Sequence, residues 1–155
     1  TTAWLATLPN LVITRTFSKI YGLAGLRVGY ALTSAEIADL VNRVRQPFNC
    51  NNLALAAAAA ALDDHQFVAI SYALNRAGME QIVAGLKRLG CTHIPSHGNF
   101  VTFRVADASR VNQKLLKQGV IVRPIAAYGM PEWLRVTIGT ESECARFLAV
   151  LEGSL

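Results

Sequence analysis

The stretch Thr16-Phe17-Ser18-Lys19-Ile20-Tyr21-Gly22-Leu23-Ala24-Gly25-Leu26-Arg27 decides how the chain is read. An apolar, β-branched run, Leu11 to Thr14, precedes it, and a second, Val28 to Leu32, follows. These runs predict two neighbouring strands joined through a glycine-bearing loop. Gly22 and Gly25 supply the freedom for a tight return path, which brings Lys19 and Arg27 near enough to each other to need an anion. A phosphate meets that need, with Arg27 gripping it bidentately and Thr16 and Ser18 donating from the other side. Lysine offers what a second arginine would not: its amine loses a proton when desolvated or set beside a cation, and only the neutral amine attacks an aldehyde. The spacing by itself equally fits two solvated charges flanking a turn.

Outward from this loop, Thr33-Ser34-Ala35-Glu36 has the form of a capping box, and Ile37, Leu40, Val41 and Val44 follow at helical spacing as far as the stop at Pro47. The Ala54 to Ala61 run predicts a slim helix. Asp63 with Gln66 resembles a second capping box and opens a long helix to Leu89, with Phe67, Ile70, Leu74, Ala77, Ile82, Leu86 and Leu89 as its stripe and Gly90 as its cap. Such a helix is about 40 Å long, enough to bridge two domains. Beyond it the order is strand (Asn99 to Val105), helix (Ala108 to Gln118), short strand (Val120 to Val122), strand (Leu134 to Ile138) and helix (Glu141 to Leu151). Thr140-Glu141-Ser142-Glu143 is a third capping box. This is a compact α/β or α+β unit. Alternation along the last strand sends Leu134, Val136 and Ile138 to the core and Arg135 to the opposite face.

With 52% hydrophobic and 16% charged residues the chain is globular rather than disordered. Its longest apolar run is far short of the roughly 20 residues of a membrane span. The net charge of +5 is scattered, with no basic run longer than Lys87-Arg88, so small anions are expected as ligands rather than nucleic acid. Cys50, Cys91 and Cys144 lack C-x-x-C spacing, which argues against a disulfide framework and favours a reducing, cytoplasmic setting. Cys91, His93 and His97 lack a fourth ligand for structural zinc, so no metal is expected. Thr1-Thr2-Ala3-Trp4 shows neither an initiator Met nor a leader, and the chain is expected to begin mid-protein.

The segment containing Lys19 resembles the cofactor-lysine motif S-K-x-x-x-x-x-G-x-R of the fold-type I pyridoxal-phosphate aminotransferases. The fuller string TFSKIYGLAGLRVGY, Thr16 to Tyr30, is similar to their histidinol-phosphate aminotransferase branch. The resemblance implies an α/β chain holding part of the fold-type I large domain plus its smaller C-terminal α/β domain. Residues 1–63 would belong to the large domain, 64–90 to an inter-domain helix and 91–155 to the small domain. It implies pyridoxal 5'-phosphate as cofactor, Lys19 as the Schiff-base lysine, and Thr16, Ser18 and Arg27 as phosphate ligands.

Arg43 to Asn51 is similar to the branch's R-x-P-F-N-x-N loop, which in the family lies near the active site at a dimer interface; by its residues alone it is a polar connector. Gly119 to Arg123 and Leu134 to Gly139 resemble the substrate-facing G-x-x-x-R and L-R-x-T-x-G motifs. By that resemblance Arg135 clamps the α-carboxylate of glutamate or its counterpart, Arg123 takes the phosphate of histidinol phosphate, and Asn99 is a further substrate-side residue. Without it, each arginine also fits an ordinary surface position.

The implied reaction passes an amino group from histidinol phosphate to 2-oxoglutarate, giving imidazole acetol phosphate and glutamate, in a homodimer. Small amino donors and keto acids are then its partners, with neither nucleic acid nor membrane. Related alternatives are an aromatic aminotransferase, an amino-acid phosphate decarboxylase, or the aminotransferase-like sensor domain of a transcription regulator. In the family, the acid that pairs with the pyridinium nitrogen lies upstream of the lysine motif, and no residue before Lys19 is acidic. The chain is therefore expected to be a C-terminal portion of a longer enzyme, inactive alone.

Overall fold

β1 (Ile13–Thr16) and β2 (Gly29–Leu32) form an antiparallel ribbon, with Ile13 opposite Leu32 and Thr16 opposite Gly29. The computed structural model describes residues 2–155. β1 starts later than its apolar run predicts, because the Leu11 carbonyl accepts from the Thr33 hydroxyl at 2.8 Å and the Leu11 amide donates to the Leu8 carbonyl. Thr16 thus ends the strand instead of beginning the loop. Gly29 lets the ribbon close, since a β-carbon there would lie 2.7 Å from the Arg15 carbonyl oxygen.

With the Thr33 hydroxyl engaged, the first helix is capped one residue later than its sequence pattern predicts. Ser34 Oγ accepts from the Ile37 amide at 3.4 Å and opens α1 (Ala35–Val44). α2 (Asn52–Asp63) is capped by Asn51, whose Oδ1 accepts from the Ala54 amide at 2.8 Å. Ala54 and Ala58, one turn apart, bury against Phe17 and Val28. Asp64 alone separates α2 from α3 (His65–Arg88). It is Asp64, not Asp63, that caps α3, accepting from the Phe67 amide at 2.9 Å.

The chain divides into two compact units, Thr1–Ser71 and Tyr72–Leu155, with the break inside α3. In the second unit β3 (His93–Ile94), β4 (Phe100–Arg104), β5 (Arg123–Pro124) and β6 (Trp133–Thr137) make an antiparallel sheet in the order β3-β4-β6-β5. One face carries Val101, Phe103, Leu134 and Val136. It packs into a single core with Ile82 and Leu86 of α3, Val111 and Leu115 of α4 (Ala108–Lys117), and Phe147 and Leu151 of α5 (Glu141–Glu152). The third capping box forms as expected: the Thr140 amide donates to Glu143 Oε2 at 2.7 Å, and the Glu143 amide to Thr140 Oγ1 at 3.4 Å.

Two expectations fail here for physical reasons. Val120 to Val122 is not a strand, because the Val120 amide turns back to the Leu115 carbonyl at 2.9 Å and closes α4, with Gly119 at φ +73°. Pairing resumes only at Arg123, and Pro124 is tolerated because β5 is an edge. The stripe on α3 is realised only in its C-terminal half, where Ile82 and Leu86 are fully buried while Phe67, Ile70 and Leu74 stay exposed. Two glycines on that helix fit it against its neighbours. A β-carbon at Gly78 would meet Ile138 at 2.6 Å, and one at Gly85 would meet Leu148 at 2.4 Å.

Candidate active site

The loop between β1 and β2 is held by backbone bonds that converge on Phe17. Its amide donates to the Val28 carbonyl at 3.2 Å, and its carbonyl accepts from the Leu23 amide at 2.9 Å. The Phe17 ring is buried, with Tyr21 at 4.9 Å and Tyr30 at 5.8 Å between ring centroids. Just beyond Phe17 and Val28, Ser18 and Arg27 are the next residues on the two arms of the loop. The Ser18 amide donates to Thr16 Oγ1 at 3.0 Å, and the Gly22 amide closes a turn onto the Lys19 carbonyl at 2.9 Å. Gly22 has φ +68° and needs its lack of a side chain, whereas Gly25 does not adopt a positive φ.

Lys19 is exposed at the tip of this turn, and it enters none of the salt bridges among the described residues. Arg27 is one of two non-glycine residues with positive φ among the described residues, at 54°, and its Nη1 donates to the Ala24 carbonyl at 2.9 Å. It too has no carboxylate partner among the described residues. An arginine in the left-handed region is uncommon, and such backbone strain concentrates at functional sites. The loop therefore carries an amine, two hydroxyls and a guanidinium with no carboxylate partner among the described residues, a donor set suited to a phosphate and to a reactive carbonyl.

The second unit brings together two cations of its own. β5 pairs with β6 so that Arg123 stands directly opposite Arg135, on one face of the sheet. Like charges directly opposite on neighbouring strands are destabilising. No carboxylate pairs with either arginine among the described residues. Arg123 Nη2 lies 3.5 Å from the Tyr128 hydroxyl, and the Arg135 guanidinium lies over the Phe100 ring, 4.7 Å from its centroid. Arg135 is half-buried with Leu134 and Val136 turned to the core on either side, as alternation requires. Asn99 is exposed, and its carbonyl accepts from the Ile138 amide at 2.8 Å, extending the β4–β6 pairing by its backbone.

Near the end of α1 Arg43 pairs with Asp39, while in the connector that follows Arg45 Nη1 donates to Asn49 Oδ1 at 3.1 Å, so Arg45 is the arginine that holds this loop. Phe48 sits there at φ +56°, 97% exposed. Sequence patterns do not single out Phe17, Phe100 or Tyr128 as supports. Their positions depend on the pairing of strands distant in sequence, which local periodicity does not encode.

The sequence profile of the aminotransferase class I and II family matches residues 1–151. The chain belongs to that family. It is 76% identical over all 155 residues to histidinol-phosphate aminotransferase 1 of Dechloromonas aromatica (strain RCB), covering 43% of that protein. To the histidinol-phosphate aminotransferase of Methylobacillus flagellatus it is 65% identical over 97% of its length, covering 41% of the relative. The chain thus spans less than half the length of the curated relatives it matches. Among solved structures, the histidinol-phosphate aminotransferase of Clostridium acetobutylicum superposes with a TM-score of 0.90 at 25% identity over 97% of this chain and 47% of that one. The Sinorhizobium meliloti enzyme, solved in complex with pyridoxal-5'-phosphate, superposes with a TM-score of 0.88 at 28% identity, over 97% of this chain and 43% of that one. The fold is accordingly a portion of the fold-type I aminotransferase architecture.

Proposed function

We propose that this chain supplies the lysine and the substrate arginines of a pyridoxal-phosphate-dependent histidinol-phosphate aminotransferase. The observation that carries the reading is the Lys19 turn, in which the amine and Arg27 have no carboxylate partner among the described residues and share one loop with Thr16 and Ser18, in a chain 76% identical to a histidinol-phosphate aminotransferase. The donor set fits a phosphorylated aldehyde: Lys19 is the covalent anchor, and Thr16, Ser18 and Arg27 hold the phosphate. When bound, pyridoxal phosphate withdraws the electrons released at the substrate α-carbon. Lys19 Nζ would take the proton from the substrate α-carbon as general base and release it as general acid to complete the transfer of the amino group. Arg135 grips the α-carboxylate of glutamate, Arg123 takes the phosphate of histidinol phosphate, and Asn99 assists on the substrate side.

Within this reading, residues 1–63 belong to the large domain, 64–90 to the connecting helix and 91–155 to the small domain. A homodimer is consistent with the fully exposed Phe48 on its Arg45-held loop. A cytoplasmic setting is consistent with three free cysteines. No single helix among the described residues is long and apolar enough to cross a membrane.

The test uses the full-length protein. Borohydride reduction followed by peptide mass analysis should find the cofactor on Lys19, and Lys19→Ala should lose both the adduct and about 10²- to 10⁴-fold in rate. An adduct that persists in Lys19→Ala overturns the assignment. Arg123→Ala should weaken histidinol phosphate about tenfold more than glutamate, the size of one charge-assisted contact. Equal losses for both substrates would remove the phosphate assignment.

A further inference from the structure

Arg135 lies in a setting that ought to scatter its side chain. Arg123 faces it directly across β5 and β6, and no carboxylate among the described residues restrains it. On its other side β4 offers Thr102 directly opposite and Phe100 two residues away, opposite Thr137. Phe100 therefore shares the face of Arg135 as a diagonal neighbour, a placement within reach of an aromatic side chain. Its half-buried ring lies 4.7 Å from the guanidinium carbon, inside the range in which the negative face of an aromatic ring attracts a cation.

We propose that Phe100 is the positioning residue for Arg135. Its ring holds the guanidinium in place against the repulsion of Arg123, so that the carboxylate of the amino or keto acid meets a donor already set. A carboxylate in that position of Phe100 would hold the arginine as well but would neutralise it and compete with the substrate. An aromatic face orients the charge and leaves its N–H donors free. This inference rests on the proposal that Arg135 receives the substrate carboxylate.

The test is the glutamate half-reaction of the full-length enzyme loaded with cofactor, giving a dissociation constant and a limiting rate separately. Phe100→Leu should raise the glutamate dissociation constant about five- to tenfold while the limiting rate changes less than twofold. Phe100→Tyr, which keeps the ring, should stay within twofold of the parent in both. In an Arg135→Ala background, Phe100→Leu should have no further effect on glutamate binding, as expected when one residue acts through another. Phe100→Met serves in the same cycle if the leucine variant does not fold. Equal losses from Phe100→Leu with and without Arg135, or a tyrosine variant as weak as the leucine one, would overturn the positioning role. If Arg135→Ala itself leaves glutamate binding unchanged, the carboxylate assignment fails, and this inference falls with it for that separate reason.

Discussion

The two units of the chain are stabilised in opposite ways. Up to Ser71 the described core is Phe17, Val28, Ala54 and Ala58, two of them alanines, while Trp4, Val44, Phe48 and Leu53 lie open. From Tyr72 onward a four-stranded sheet buries one face completely against three helices. In the first unit the site is shaped by backbone hydrogen bonds around a turn. In the second, side-chain packing fixes the strand register and the register places the arginines.

Substitutions can break or sharpen this contrast. The largest effect belongs to the dense core: Phe103→Ala removes a fully buried ring that meets Phe147 edge-on, and should cost about 3–5 kcal/mol in denaturant unfolding of the second unit. A loss below 1 kcal/mol would mean the core is not the tight element described. Next comes Gly85→Ala, whose new β-carbon runs into Leu148 and should cost about 1–3 kcal/mol. Its counterpart in the first unit, Gly25→Ala, meets open space and should shift stability by no more than about 0.5 kcal/mol. Comparable melting shifts for the two would erase the distinction.

Thr140→Ala removes an N-cap and should destabilise α5 by about 1 kcal/mol. The same cap gives a pH dependence. The Thr140 amide, and then its hydroxyl, hold the Glu143 carboxyl below its ordinary range, and Arg88 does the same for Glu152 through a hydrogen bond and its charge. A carboxyl depressed in the folded state contributes stability above its unfolded value, and that contribution is lost as pH falls through the folded value. The melting temperature of the second unit should therefore drop on acidification below the ordinary carboxylate range, and the drop should be shallower in Glu143→Gln. The smallest effect is kinetic: Cys50, half-buried in the first unit, should react with a thiol reagent before Cys91 and Cys144, which are buried in the second. Burial also pushes the Cys91 thiol up, keeping it protonated and slow.

Much of this was legible where the signal is local. The box at Thr140 to Glu143, the alternation around Arg135 and the cap at Gly90 all depend on residues within a few positions of one another, and all appear as read. Slips of one residue arose where a distant partner intervened. Thr33 surrendered its cap to Ser34 because Leu11 claimed its hydroxyl. The exposed half of the α3 stripe shows the limit of periodicity, which says which residues share a face but not whether anything covers them. The placement of Arg123 against Arg135 was out of reach, since the pairing of β5 with β6 depends on a turn at Gly119 that displaces the strand predicted for Val120 to Val122.

On the proposed function, that arginine pair ties the sheet to an anion. An edge strand held against mutual repulsion is less stable empty than filled, so any small dianion that bridges Arg123 and Arg135 acts as a counter-ion of the fold. By thermodynamic linkage, ligand bound only by the folded state raises the melting temperature in step with its concentration. Inorganic phosphate or sulfate should then protect the amides of β5 and β6 from hydrogen exchange more than chloride does at equal ionic strength, so that the edge strand would report on what binds beside it.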